Sequence, residues 1–179
     1  APLGMLEAGA NTFVGAIPTI LKMNSSNSLL SKDSIPNQAI TATLKDALRL
    51  GGAAIGFTIY PGSGQSIEMM EEIRELTAQA KEVGLAVVSW SYARGGQLSK
   101  EDETSLDTIA YSAHIAALLG AHIIKVKPPT HHIALENTKK LGIDKRSLKD
   151  RIAHVMQASF NGRRIVVFSG GASKSLEDI

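Results

Sequence analysis

Five short apolar runs, at 17–24, 53–60, 85–92, 122–127 and 164–169, alternate along this chain with four longer amphipathic stretches at 41–50, 66–83, 103–119 and 147–160. The short runs are bounded by turn residues and predict strands, whereas the longer stretches carry apolar residues at helical spacing. Each helical stretch closes at or near a glycine (Gly51, Gly84, Gly120, Gly162), the residue that tolerates a left-handed cap. Ser66 is the expected N-cap of the second helix, with Met69, Met70, Ile73 and Leu76 as its buried stripe. Strands regularly followed by helices imply a parallel sheet with right-handed crossovers.

An open doubly wound sheet and a closed barrel both satisfy that pattern, and two details favour a (β/α)₈ TIM barrel. No glycine fingerprint for a dinucleotide follows the first strand. Polar residues crowd the C-terminal ends of nearly every strand, where a barrel assembles its active site. A complete barrel typically takes about 250 residues, and this chain has 179, all read as one domain. The barrel is therefore expected to be incomplete within these residues. Ala1-Pro2-Leu3-Gly4 reads as the end of an earlier strand. Further strands are expected on both sides, and an open wall is expected beside residues 169–171.

Composition narrows the class. With 44% hydrophobic residues, the chain can bury a substantial core. The net charge of +2 is small and the basic residues are dispersed among carboxylates, so no nucleic-acid partner is expected. The absence of cysteine excludes disulfides and thiolate metal sites and fits a reducing compartment. No apolar run approaches the roughly 18 residues of a membrane span. A cytoplasmic protein with no membrane partner is the expectation.

Residues two apart on a strand share a face. That pairs Lys22 with Asn24, Thr58 with Tyr60, Trp90 with Tyr92, and Lys125 with Lys127. A lysine inside a covered parallel strand is costly unless its charge is matched or shed. Burial and a second cation both lower an amine's pKa, and a neutral lysine attacks carbonyls to form a Schiff base. Lys125, preceded by an apolar run and followed by Lys127, meets those conditions; the alternative is that both amines reach solvent at the strand mouth or bind an anion. Trp90 and Tyr92 read either as core aromatics or as site walls, and a phenol there can shuttle a proton. Ser169-Gly170-Gly171 precedes a helical stretch and fits an anion-binding turn, a weak signal by itself. Tyr60-Pro61-Gly62-Ser63 and Arg94-Gly95-Gly96 read first as turns. His131 and His132 are adjacent on a loop with no carboxylate at ligating spacing, so no metal site is expected.

Four ordered stretches carry a resemblance over essentially the whole chain. They are Gly56-Phe57-Thr58-Ile59-Tyr60-Pro61-Gly62-Ser63, then Trp90-Ser91-Tyr92 with Arg94-Gly95-Gly96, then residues 120–129 around Lys125-Val126-Lys127-Pro128-Pro129, and Phe168-Ser169-Gly170-Gly171. Together they are similar to the archaeal-type class I fructose-bisphosphate aldolases, a family also found in bacteria. The resemblance implies a barrel that assembles into homo-oligomers and acts on a phosphorylated sugar without metal or cofactor. It implies Lys125 as the Schiff-base lysine, with Lys127 the second choice, Tyr92 as acid/base and Trp90 beside it. It also implies substrate contacts at Ser169, Gly170, Gly171, Lys127 and Lys22. Related lysine-dependent barrels acting on other sugar phosphates, such as deoxyribose-phosphate aldolase and transaldolase, and a non-catalytic sugar-phosphate-binding barrel are the alternatives.

Overall fold

The computed structural model describes residues 1–31, 33–144 and 146–170. In chain order the elements are α1 (Leu3–Ala8), α2 (Ala10–Phe13), β1 (Ile20–Lys22), β2 (Asn24–Ser25), β3 (Ala39–Ile40), α3 (Leu44–Arg49), β4 (Ala54–Ile59), α4 (Ser66–Glu82), β5 (Ala86–Ser91), a 3₁₀ turn (Asp102–Thr104), α5 (Leu106–Leu118), β6 (Ile123–Val126), α6 (Glu136–Lys139), α7 (Leu148–Ala158) and β7 (Ile165–Phe168). All five expected strands are present. The first is shorter than the sequence suggests, because the chain leaves it at Met23 to form the small antiparallel β2–β3 pair.

The main sheet runs β1-β4-β5-β6-β7, every neighbouring pair parallel and in chain order. A doubly wound sheet reverses its strand order at a switch point, and no reversal occurs here. The arrangement is that of a (β/α)₈ barrel wall, with helices on one face. Leu21, Ile55, Phe57, Ile59, Val87, Ile124 and Val126 point to that face and are buried against Ile73 and Ala80 of α4, Ile109 and Ala113 of α5 and Val155 of α7. Ser91 shares the face and donates its hydroxyl to the Ser112 carbonyl of α5 at 2.8 Å. Truncating a buried Phe57 or Ile124 to alanine would cost about 2–5 kcal/mol.

The opposite face is the barrel interior. Its rows follow from the register: Lys22 beside Gly56, and Thr58, Trp90, Lys125 and Val167 side by side across β4 to β7. Among the described residues no strand covers the outer edge of β7, and Ile165 and Val167 on its interior face are 62% and 41% exposed. On the other edge, Lys22 donates its N–H to the Ala1 carbonyl at 2.8 Å and Pro2 forms a parallel bridge with Lys22, so residues 1–2 run along β1 before α1 opens at Leu3.

Local chemistry accounts for the helix starts. Thr43 and Asp46 form a reciprocal capping box on α3, Ser105 caps α5, and Ser147 caps α7. The expectation for Ser66 is corrected: it is the first helical residue of α4 and caps nothing. The Ser63 hydroxyl instead accepts from the Gln65 N–H at 3.1 Å, one turn earlier. Likewise α5 does not begin at Glu103, because Ser105 interrupts the stretch and leaves Glu103 in the 3₁₀ turn. Gly51, Gly84, Gly120 and Gly162 all have φ between 63° and 93°, as their helix-closing role requires.

Candidate active site

Trp90 occupies the centre of the interior face, and Gly56 makes room for it. A Cβ on Gly56 would sit 2.3 Å from the indole ring, so the ring lies against bare backbone of the neighbouring strand. Gly56→Ala is therefore expected to push the indole off the sheet at a cost of about 1–3 kcal/mol. Because Trp90 is the sole tryptophan, a shifted emission maximum with a lowered Tm would report it; unchanged emission would show that the ring has room to move.

Lys125 is Trp90's partner in register on β6 and is half-buried. Its amine has no hydrogen bond or ion pair among the described residues. Lys127, two residues further on, is different: its ammonium pairs at 3.1 Å with Glu103, whose other oxygen takes Lys100 at 2.7 Å. Glu103 is 5% exposed. Burial alone would raise its pKa, but the two lysines hold its carboxyl below the usual range. The second cation expected beside Lys125 is therefore an ion-paired one.

Tyr92 lies just past β5, where its N–H continues the pairing with β4 through the Ile59 carbonyl at 3.1 Å. Burial pushes its phenol pKa up, opposed by the Arg94 guanidinium. The hydroxyl is without a partner among the described residues. At the end of β7, Ser169 donates its N–H to the Val126 carbonyl at 2.9 Å. That N–H is spent on the sheet, so an anion at this turn would draw on the Ser169 hydroxyl and on Gly170, which is exposed. Gly171 lies outside the described residues.

The β1 end carries a buried polar network that the sequence hinted at only through the Lys22 and Asn24 spacing. Asn24 bridges to β4 with its side chain, donating from Nδ2 to the Thr58 carbonyl at 2.8 Å and accepting the Thr58 N–H at 2.9 Å. Lys22 donates to the Asn24 carbonyl oxygen, to Asn24 Oδ1 at 2.7 Å and to Gln38 Oε1 at 3.4 Å. Gln38 in turn donates to the Tyr60 hydroxyl at 2.6 Å. Lys22 Nζ lies 5.8 Å from the centroid of the Trp90 ring, and Arg94 stacks 5.2 Å from Tyr60. Burial pushes the Lys22 amine down to about 8. Gln38 was missed from sequence because it sits in a loop with no periodicity.

The loop after β6 is fastened to the start of α5. Asp107 accepts the N–H groups of Ala134 and Leu135 at 3.0 and 2.8 Å, and His132 Nε2 meets Asp102 Oδ1 at 2.9 Å. His132 thus finds a carboxylate thirty residues away, where local spacing offered none. Among the described residues no group of three His, Cys, Asp or Glu is placed to share a metal ion. Hydrogen bonds from Ser99 and His132 pull the Asp102 carboxyl from 3.8 to about 2. A depressed carboxylate contributes stability that is fully present above the unfolded value and lost as pH falls through the folded one. This fastening should therefore hold at pH 5 and give way between about 3.8 and 2. An acid titration comparing the protein with Asp102→Asn checks this: a difference in Tm that persists unchanged below pH 2 would sink it.

The sequence profile of the DeoC/LacD family aldolases matches residues 2–179. The class 1 fructose-bisphosphate aldolase of Halobacterium salinarum is 33% identical over 178 residues, covering 99% of this chain and 59% of the relative. That of Thermoproteus tenax is 39% identical over 113 residues, 63% of this chain and 41% of the relative. Among solved structures, an archaeal fructose 1,6-bisphosphate aldolase superposes with a TM-score of 0.79 at 30% identity, over 99% of this chain and 60% of that one. A second, with its catalytic lysine covalently bound to the carbinolamine intermediate of the substrate, gives 0.79 at 29% identity, over 99% and 61%. The chain thus spans between 41% and 61% of the length of these proteins. No helix among the described residues is long and apolar enough to cross a membrane. With the family profile matched along almost its entire length and this barrel geometry, the chain belongs to the DeoC/LacD family of aldolases.

Proposed function

We propose that this chain carries the lysine-bearing wall of a class I aldolase that cleaves fructose 1,6-bisphosphate into dihydroxyacetone phosphate and glyceraldehyde 3-phosphate. The observation that carries the reading is the interior row itself, with an unpartnered Lys125 amine beside Trp90 while Lys127 is occupied by Glu103. The names of the relatives support the substrate.

In this reading Lys125 Nζ attacks the C2 carbonyl of the open-chain sugar, and the carbinolamine loses water to give an iminium. The C4 hydroxyl gives up its proton to water as the C3–C4 bond breaks, and the bonding pair flows to the iminium nitrogen. Glyceraldehyde 3-phosphate leaves. Tyr92, whose half-buried phenol keeps its proton at neutral pH, protonates the resulting enamine at C3 and recovers a proton from water. Water then hydrolyses the iminium and frees Lys125. Trp90 walls the pocket against solvent. Ser169, Gly170 and Gly171 take one phosphate, and Lys22 contacts the other end of the substrate. The working enzyme has the remaining barrel strands and is a homo-oligomer.

Sodium borohydride with dihydroxyacetone phosphate tests the reading. A covalent label on the protein is expected, and its absence would remove the Schiff-base chemistry. Because the iminium is the electron sink, activity should also withstand exhaustive chelation. Loss in EDTA with recovery on added zinc would replace this mechanism with a metal-stabilised enolate.

A further inference from the structure

Lys22 differs from Lys127 in the charge of what holds it. Lys127 faces a carboxylate. Lys22 donates only to neutral acceptors, the carbonyl and amide oxygens of Asn24 and the amide oxygen of Gln38, and no carboxylate pairs with it among the described residues. An ammonium has three donors, so its protein partners saturate it. Those partners are unequal. Asn24 is 1% exposed and locked to Thr58 by both of its side-chain atoms, so its oxygen stays in place. Gln38 makes the longest of the contacts, at 3.4 Å, and is anchored independently through Tyr60 at 2.6 Å.

A cation held by neutral groups keeps its charge available to an incoming anion, whereas one paired to a carboxylate has already spent it. The Gln38 contact is the one that can be exchanged without losing the anchor of either side chain. We propose that Gln38 is a specificity-determining residue: an anionic phosphate oxygen of the ligand displaces its amide oxygen at Lys22, and the neutrality of that amide is what lets Lys22 select a phosphate. This rests on the reading of Lys22 as a substrate contact. The position suits it, since Lys22 Nζ stands 5.8 Å from the centroid of the Trp90 ring, which the proposed function places against the substrate.

Trp90, the sole tryptophan, is the reporter. Inorganic phosphate titrated into the intact chain should change its emission saturably, and Lys22→Met should abolish the change. Gln38→Glu, which places a carboxylate on Lys22, should weaken phosphate binding by at least about tenfold, while the neutral Gln38→Met should bind within about threefold of wild type. If Gln38→Met does not fold, Gln38→Asn supplies the neutral comparison. Equal weakening in the neutral and charged variants would make Gln38 a structural residue that merely holds Tyr60. Undiminished binding by Gln38→Glu, or no saturable response in the wild type, would also overturn the proposal. Borohydride trapping on the same samples separates the two readings. Trapping retained while the phosphate response fails this pattern sinks this inference alone; trapping absent throughout sinks the aldolase reading.

Discussion

Lys125→Ala should reduce borohydride trapping of dihydroxyacetone phosphate to background, a fall of at least about 10³-fold, while Lys127→Ala should still be labelled. The two lysines are two residues apart, Lys125 within β6 and Lys127 just past its end, and spacing alone does not rank them. Their surroundings do. An ammonium becomes a nucleophile only by shedding its proton, and an adjacent carboxylate opposes that. Lys127 has such a carboxylate in Glu103 at 3.1 Å, itself buried and shared with Lys100. Lys125 has no such partner among the described residues and lies beside Trp90 in the interior row. Mass-spectrometric mapping of the reduced adduct decides the matter, and an adduct on Lys127 would reverse the assignment.

Tyr92→Phe should slow exchange of the dihydroxyacetone phosphate C3 proton with solvent by about 10² to 10⁴-fold, with little change in folding stability. Its hydroxyl makes no hydrogen bond among the described residues, so its removal leaves no buried partner orphaned. Burial raises the Tyr92 pKa against the pull of Arg94, so the phenol should stay protonated through neutral pH. The exchange rate in the wild type should accordingly decline only above the ordinary phenol range, about 10. Wild-type exchange in the variant would make Tyr92 a wall residue and send the search for the proton carrier elsewhere.

Much of this was legible in the letters because strands and helix ends write themselves locally. Period-two alternation placed Trp90 and Lys125 on shared faces with Tyr92 and Lys127, and the glycines marked where helices close. The pattern that joined Lys22 to Asn24 was visible for the same reason, and the two side chains do meet. What sequence did not carry is contact between distant loops. Glu103 read as the first residue of a helix, yet it sits in a 3₁₀ turn as the buried partner of a lysine twenty-four residues away. Gln38 reaches Tyr60 across twenty-two residues, and His132 reaches Asp102 across thirty. Each depends on how the turns above the sheet are stacked, for which neighbouring residues give no signal. The short α1, α2 and α6 escaped for a simpler reason: four to six residues are too few to establish a helical period.

The fastening of the β6 loop to the start of α5 bears on how the protein breathes. Leu106 donates its N–H to the His132 carbonyl at 2.9 Å, and Thr130 donates its N–H to the Thr104 carbonyl at 2.8 Å. With the N–H groups of Ala134 and Leu135 held by Asp107, four amides from two sequence-distant segments share one set of anchors. None of them can be released to solvent without disturbing the others. They are expected to open together, so that once their intrinsic exchange rates are allowed for their amide protons should report a common opening free energy in deuterium exchange. The segment that follows the lysine strand is thus tied in its fluctuations to the helix that precedes that strand, so an excursion exposing one exposes both.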